Sequence, residues 1–171
     1  MNDIERLIAA ESIRKTKARY WYFLDMKMWR ELGTTFTRDV IVDFRGERDV
    51  KPGGDYNAMP PVEKSLAEHD VAVQQGRDTA VKFIKDVVEN WVTVHQGAAP
   101  IIDVTGPDSA KVIWPFFDYI DDGRHSLQGY GYYHETFRVE DGEWRIASFQ
   151  LRRLRWDGTH PFAPVEEAAA T

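Results

Sequence analysis

Asp25 stands where a carboxylate is expensive. It closes the aromatic run Arg19-Tyr20-Trp21-Tyr22-Phe23-Leu24-Asp25, late in a helical pattern, and Met26-Lys27-Met28-Trp29 follow it. A negative charge at the C-terminal end of a helix meets the wrong end of the macrodipole. Aromatic neighbours at three and four residues' spacing also strip it of water, so the acid either turns to solvent or is held by a partner. The candidate partner is His95, in Trp91-Val92-Thr93-Val94-His95-Gln96-Gly97. An Asp–His pair in an aromatic cavity is a general acid–base device. Spacing alone does not pair the two, because they lie on different elements. A single histidine on an apolar strand is more often structural than catalytic, and a helical aspartate usually faces water. Tyr20 is offset around the helix from Asp25; its hydroxyl either reaches the same cavity or belongs to the core. His134 is a second candidate proton donor, with a surface-facing strand position as its alternative. Arg19 and Lys27 read as solvated.

The elements that must position these groups follow from periodicity and punctuation. Asn2 caps a first helix, with Glu5 placed as in a capping box. Ile4, Leu7, Ile8, Ile13, Trp21, Leu24 and Met28 give its apolar stripe. A short helix from Trp29 ends near Gly33 or Thr34, and Val40 to Phe44 reads as a strand. From Arg45 to Arg77 the pattern breaks at Gly46, Pro52-Gly53-Gly54 and Pro60-Pro61, with a turn or two of helix expected over Glu63 to His69. A stretch of that length is often a lid or binding loop. Asp78 is placed to cap a third helix over Thr79 to Glu89. The second half reads as strands at Trp91–Gly97, Pro100–Thr105, Ala110–Ile120, Leu127–Val139 and Glu143–Arg155. Gly106-Pro107-Asp108, Asp121-Asp122-Gly123 and Glu140-Asp141-Gly142 supply turns between them. Helices first and consecutive antiparallel strands afterwards make an α+β fold, with the helices on one face of a curved sheet. The expected organisation is one domain over residues 1–157 and a tail over 158–171.

Strand parity nominates the cavity walls. Val112, Trp114, Phe116, Asp118 and Ile120 share one side of their strand. On the next strand Gln128, Tyr130, Tyr132, His134 and Thr136 share a face that reads as a pocket wall with polar groups spaced along it. Trp21, Trp114, Phe116, Tyr130 and Tyr132 are therefore the candidate substrate-binding residues. Arg152, Arg153 and Arg155 read as a solvated or interfacial cluster.

The chain has 171 residues, a net charge of -6, no cysteine, and 13% aromatic residues with six Trp. Such a length fits one domain with a sizeable core. The acidic balance has no basic stripe, which argues against nucleic acid and anionic membranes as partners. Disulfides and thiolate metal sites are excluded, and the scattered histidines form no metal-ligand spacing. Phosphate loops, dinucleotide fingerprints and nucleophile elbows are missing from the sequence. The opening residues lack the features of a signal peptide and no apolar run is long enough to cross a bilayer, so a cytoplasmic location is expected.

Residues Ile4 to Phe44, with Ala18-Arg19-Tyr20, Leu24-Asp25 and Phe36-Thr37-Arg38-Asp39-Val40, resemble the opening of SnoaL-like proteins, in the superfamily named after nuclear transport factor 2. The ending is similar too: Gly131-Tyr132-Tyr133-His134-Glu135-Thr136-Phe137, Asp141-Gly142-Glu143-Trp144-Arg145-Ile146 and Leu151-Arg152-Arg153-Leu154. The resemblance covers roughly residues 3–157. It implies a cone-shaped α+β barrel, a curved antiparallel sheet wrapped around N-terminal helices with a deep hydrophobic pocket. Within that group the pattern is nearest to scytalone dehydratase, bile acid 7α-dehydratase and hexachlorocyclohexane dehydrochlorinase, which use an Asp–His dyad without a cofactor. By resemblance, Asp25 and His95 are the dyad, Tyr20 is the bile acid enzyme's tyrosine, and His134 falls near a basic residue that is arginine in some relatives. A homo-oligomer is implied, with a trimer favoured and a dimer the alternative.

Three functions remain open on the sequence. One is a cofactor-independent dehydratase-type lyase acting on a hydrophobic cyclic or polycyclic molecule. The second is an isomerase or cyclase on a ketosteroid- or polyketide-like substrate. The third is a non-catalytic binding or assembly module, because the fold serves all three.

Overall fold

A computed structural model describes residues 1–46 and 71–158. Three helices lie on the concave side of one strongly curved sheet. The helices are α1 (Asp3–Asp25), α2 (Trp29–Thr34) and α3 (Arg77–Val88). The strands are β1 (Phe36–Gly46), β2 (Val73–Gln75), β3 (Val92–Gly97), β4 (Ile101–Val104), β5 (Ser109–Asp121), β6 (Ser126–Glu140) and β7 (Glu143–Gly158). The sheet runs β2-β1-β7-β6-β5-β3, and β4 pairs with β5 beside β3. All pairings are antiparallel except β1 with β7, which is parallel. The sheet is curved and does not close, and the α+β class expected from the sequence is the one observed.

Helix α1 begins in a capping box. Asn2 Oδ1 accepts from the Glu5 amide at 2.9 Å, and the Asn2 amide donates to Glu5 Oε2 at 2.8 Å. It ends in a Schellman turn: the Lys27 amide reaches the Leu24 carbonyl at 3.2 Å, and the Met28 amide reaches the Phe23 carbonyl at 2.8 Å. Lys27 takes the left-handed position of that turn, with φ of 58°.

The buried side of α1 is Ala9, Ile13, Thr16, Lys17, Tyr20 and Leu24. The expected stripe is therefore corrected at its start, where Ile4, Leu7 and Ile8 are 69%, 68% and 62% exposed. These three side chains lie on the exposed side of the helix, while Arg6 donates to the Val104 carbonyl of β4 at 2.7 Å, so apolar spacing there meets no core. The core gathers around Phe36, Phe137, Ile146 and Phe149, all fully buried, with Leu32 from α2 and Ala80 from α3. Each large apolar side chain buried there contributes about 1.5–3 kcal/mol.

Two further expectations change. Asp78 does not cap α3; Gly76 occupies the cap position without a side-chain hydrogen bond, and Asp78 sits in the first turn. Strand β2 lies inside the stretch read as patternless, paired to Ile41–Asp43 of β1. The lid expected between Arg45 and Arg77, including the Glu63–His69 helix, falls mostly outside the described residues, as does nearly all of the tail expected from 158.

Candidate active site

Strand β3 lies alongside the end of α1, and this carries His95 to Asp25. Asp25 Oδ1 lies 2.7 Å from His95 Nδ1, and Asp25 Oδ2 accepts the His95 backbone amide at 2.8 Å. The Thr93 hydroxyl donates to Oδ1 at 2.9 Å and in turn accepts from Lys27 Nζ at 2.8 Å. Three donors from β3 thus replace the water and the favourable dipole that the helix end denies this carboxylate. With Asp25 on Nδ1, the neutral ring carries its proton there, and Nε2 is the nitrogen left to accept one.

His95 borders a cavity of about 320 Å³. Tyr20 and Leu24 of α1 line it, with Phe83, Ile84 and Val87 of α3 opposite. Phe44, Ala72, Ile120 and Leu151 complete the apolar wall, and Tyr133 and Asp118 bring polar groups into it. An apolar chamber of this size with a few convergent polar groups suits a small hydrophobic molecule.

Tyr20 is 1% exposed and packs edge-on against Tyr133, with ring centroids 6.5 Å apart. Burial first, then the charges of Glu135 and Asp25, push its phenol above the ordinary range, while a hydrogen bond with Tyr133 acts the other way. Tyr20 is thereby kept protonated, as a hydrogen-bond donor.

Asp118 is the cross-strand partner of His95. Its two oxygens are held by Arg153 Nη1 and Nη2, each at 2.8 Å. Arg153 is 1% exposed, so this member of the arginine cluster is corrected from solvated to buried. Two local features turn it inward. The register of β7 against β6 shifts between Tyr130 and Gly131, passing over Leu154, and the bulge re-aims the strand. Gly129 then clears the path, since a Cβ there would lie 1.4 Å from Arg153 Nη1 and 2.2 Å from Asp118 Oδ1. We expect Gly129→Ala to displace the guanidinium and cost about 3–5 kcal/mol, the range for breaking a buried pair. A fall in the urea midpoint checks this.

The parity expected for β6 is inverted. Leu127, Gly129, Gly131, Tyr133, Glu135 and Phe137 face inward, and Gln128, Tyr130, Tyr132, His134 and Thr136 face the other side. Tyr130 and Tyr132 are each 38% exposed. His134 sits in an outer groove with Asp103, Lys111, Thr136 and Ser148, and burial followed by the Arg152 charge lowers its pKa. It is therefore placed away from the dyad. Trp21 and Trp114 pack edge-on at 5.5 Å, and Phe116 lies over Tyr133 at 4.6 Å. These three support the chamber from behind; among the described residues none of them lines it.

Sequence reasoning missed Lys17 and Glu135. Both side chains are fully buried and paired, Lys17 Nζ to Glu135 Oε1, directly behind the two tyrosines. The ammonium lies 3.8 Å from the Tyr133 ring centroid and 4.3 Å from that of Tyr20. Burial lowers the Lys17 pKa against the pull of Glu135, and burial raises that of Glu135 against the pull of Lys17. Among the described residues no three His, Asp or Glu side chains converge to hold a metal ion. No described helix is long and apolar enough to cross a membrane.

Residues 5–150 match the SnoaL-like domain family. The chain belongs to that family. Its fold is shared, at 22% identity and a TM-score of 0.73, with a putative scytalone dehydratase from Novosphingobium aromaticivorans, covering 98% of this chain and 99% of the other. A hexachlorocyclohexane dehydrochlorinase of type 2 superposes with a TM-score of 0.71 at 15% identity, over 96% and 99% of the two chains. In sequence, a probable cyclase from Gibberella zeae is 23% identical over 152 residues, 86% of this chain and 93% of the relative. As a SnoaL-like protein, this chain sits among relatives named for elimination and for cyclisation, on a fold typical of the nuclear transport factor 2 superfamily.

Proposed function

We propose that this SnoaL-like protein is a cofactor-independent lyase that removes water from a hydrophobic cyclic or polycyclic molecule. The observation that carries the reading is the Asp25–His95 pair at the wall of an apolar chamber, with Nδ1 taken and Nε2 left to accept a proton. In this mechanism Nε2 of His95 takes a proton from a carbon next to an activating group. The C–H electron pair becomes the new double bond as the neighbouring C–O bond breaks. Tyr20 hydrogen-bonds the departing oxygen, and the imidazolium gives it the proton, so water leaves and His95 is restored. Asp25 holds the ring tautomer and stabilises the imidazolium.

A second reading, isomerase or cyclase, uses the same proton abstraction and returns the proton to carbon. The relative named as a probable cyclase favours it. Incubating the protein with a panel of hydroxylated cyclic ketones and weighing the products separates the two. A product lighter by one water is expected. A product of unchanged mass selects the isomerase or cyclase, and binding without turnover overturns both.

A further inference from the structure

We propose that Lys27, acting through the hydroxyl of Thr93, is a positioning residue for the Asp25–His95 pair, holding the carboxylate from behind and offsetting the negative charge the imidazole meets. This rests on the acid–base reading above. The order of hydrogen bonds is fixed by chemistry. An ammonium only donates, so Lys27 Nζ gives a proton to Thr93 Oγ1 at 2.8 Å. The threonine's single hydroxyl proton is spent on Asp25 Oδ1 at 2.9 Å. That same oxygen receives His95 Nδ1 at 2.7 Å. The chain of donors therefore runs from a cation to the oxygen that faces the imidazole.

The backbone points the same way. Lys27 holds the left-handed position of the Schellman turn, where glycine is the usual occupant. The turn lays its side chain against β3, between the Thr93 hydroxyl and the Trp29 ring, 5.9 Å from Nζ. Thr93 is 5% exposed, so the middle of the link is shielded from water while Lys27 is half-buried. Burial lowers the Lys27 pKa and the Asp25 charge opposes that, as for an ammonium held partly dry beside a carboxylate.

The other groups around the pair do not duplicate this cation. On α1, Tyr20 is neutral and Lys17 is tied to Glu135 of β6. On β5, Asp118 opposes His95 but is already paired with Arg153 of β7. Tyr133 comes from β6, and the α3 residues lining the chamber, Phe83, Ile84 and Val87, carry no charge. Among the described residues, Lys27 is the cation hydrogen-bonded into the dyad.

The test is the pH profile of kcat/KM for Lys27→Met, Lys27→Gly, Lys27→Arg and Thr93→Val. The His95 ring is titrated by NMR in the unliganded proteins alongside. Removing the cation, or the hydroxyl through which it reaches the carboxylate, leaves Asp25 more negative toward the ring and eases formation of the imidazolium. Lys27→Met, Lys27→Gly and Thr93→Val should move both midpoints up by about half to one pH unit. Lys27→Arg should stay at the wild-type midpoints. Lys27→Gly should melt no lower than wild type, because glycine suits that backbone. Unmoved NMR midpoints in Lys27→Gly and Lys27→Met overturn the proposal, leaving Lys27 a cap residue. A shifted NMR midpoint in a protein without turnover on any substrate instead upholds the link and removes the lyase reading.

Discussion

Replacing His95 with alanine should lower kcat/KM by about 10²–10⁴-fold, the usual contribution of a positioned general base. The fold should survive. The His95 backbone amide still donates to Asp25 Oδ2, and Thr93 still donates to Oδ1, so the carboxylate keeps two of its three donors. Asp25→Asn should be at least as damaging to turnover, because the amide's donor end must face either Nδ1 and the Thr93 hydroxyl or the His95 backbone amide, all of which need an acceptor. The imidazole then loses its tautomer and the stabilisation of its charged form; comparable changes in other acid–base triads cost about 10⁴-fold. Steady-state kinetics and a thermal melt of each variant decide the matter. Near-normal turnover by both folded variants would sink the Asp–His mechanism. Loss of turnover together with loss of the folded state would instead make the pair structural.

How much of this was legible in the sequence depends on where each signal lies. Helices and strands with strong punctuation could be read to within a few residues, since Gly, Asp and Pro clusters mark where ladders stop. Asp25 stood out because local physics made it uncomfortable. Its partner could be suspected only from residue type and resemblance, since no spacing relates α1 to β3. The face of β6 was misread for a physical reason. The tyrosines give the outward side the look of a pocket wall, while the inward side carries Gly129 and Gly131. In the structure those glycines are openings through which other strands send large groups: Arg153 over Gly129, and the Phe116 ring, whose Cε1 would lie 2.9 Å from a Cβ on Gly131. The β7 bulge that turns Arg153 inward leaves no local signature. Nor does the burial of Lys17, which looks like any helical lysine until the sheet closes over it.

Lys17→Met should destabilise the protein by about 3–5 kcal/mol near neutral pH. Lys17 and Glu135 are both 0% exposed at their side chains, so removing one leaves the other charged and dry. The pH dependence then has a definite sign. Burial raises the folded pKa of Glu135, and in the variant no ammonium opposes it. A carboxyl raised in the folded state favours folding below its unfolded value and loses that contribution as pH rises through the folded one. The deficit of Lys17→Met should therefore shrink toward acid and grow as pH rises toward neutral. Glu135→Gln should show the mirror image. Burial lowers the folded pKa of Lys17, so its cost is greatest while the amine is charged in solution and eases as pH rises. Replacing both residues with Met and Leu should recover most of the loss, because a buried pair exchanged for apolar volume is often neutral. Urea midpoints of the three variants across pH read all of this at once. A Lys17→Met deficit that did not change with pH would mean that the penalty comes from lost packing against Tyr20 and Tyr133 and not from a stranded charge.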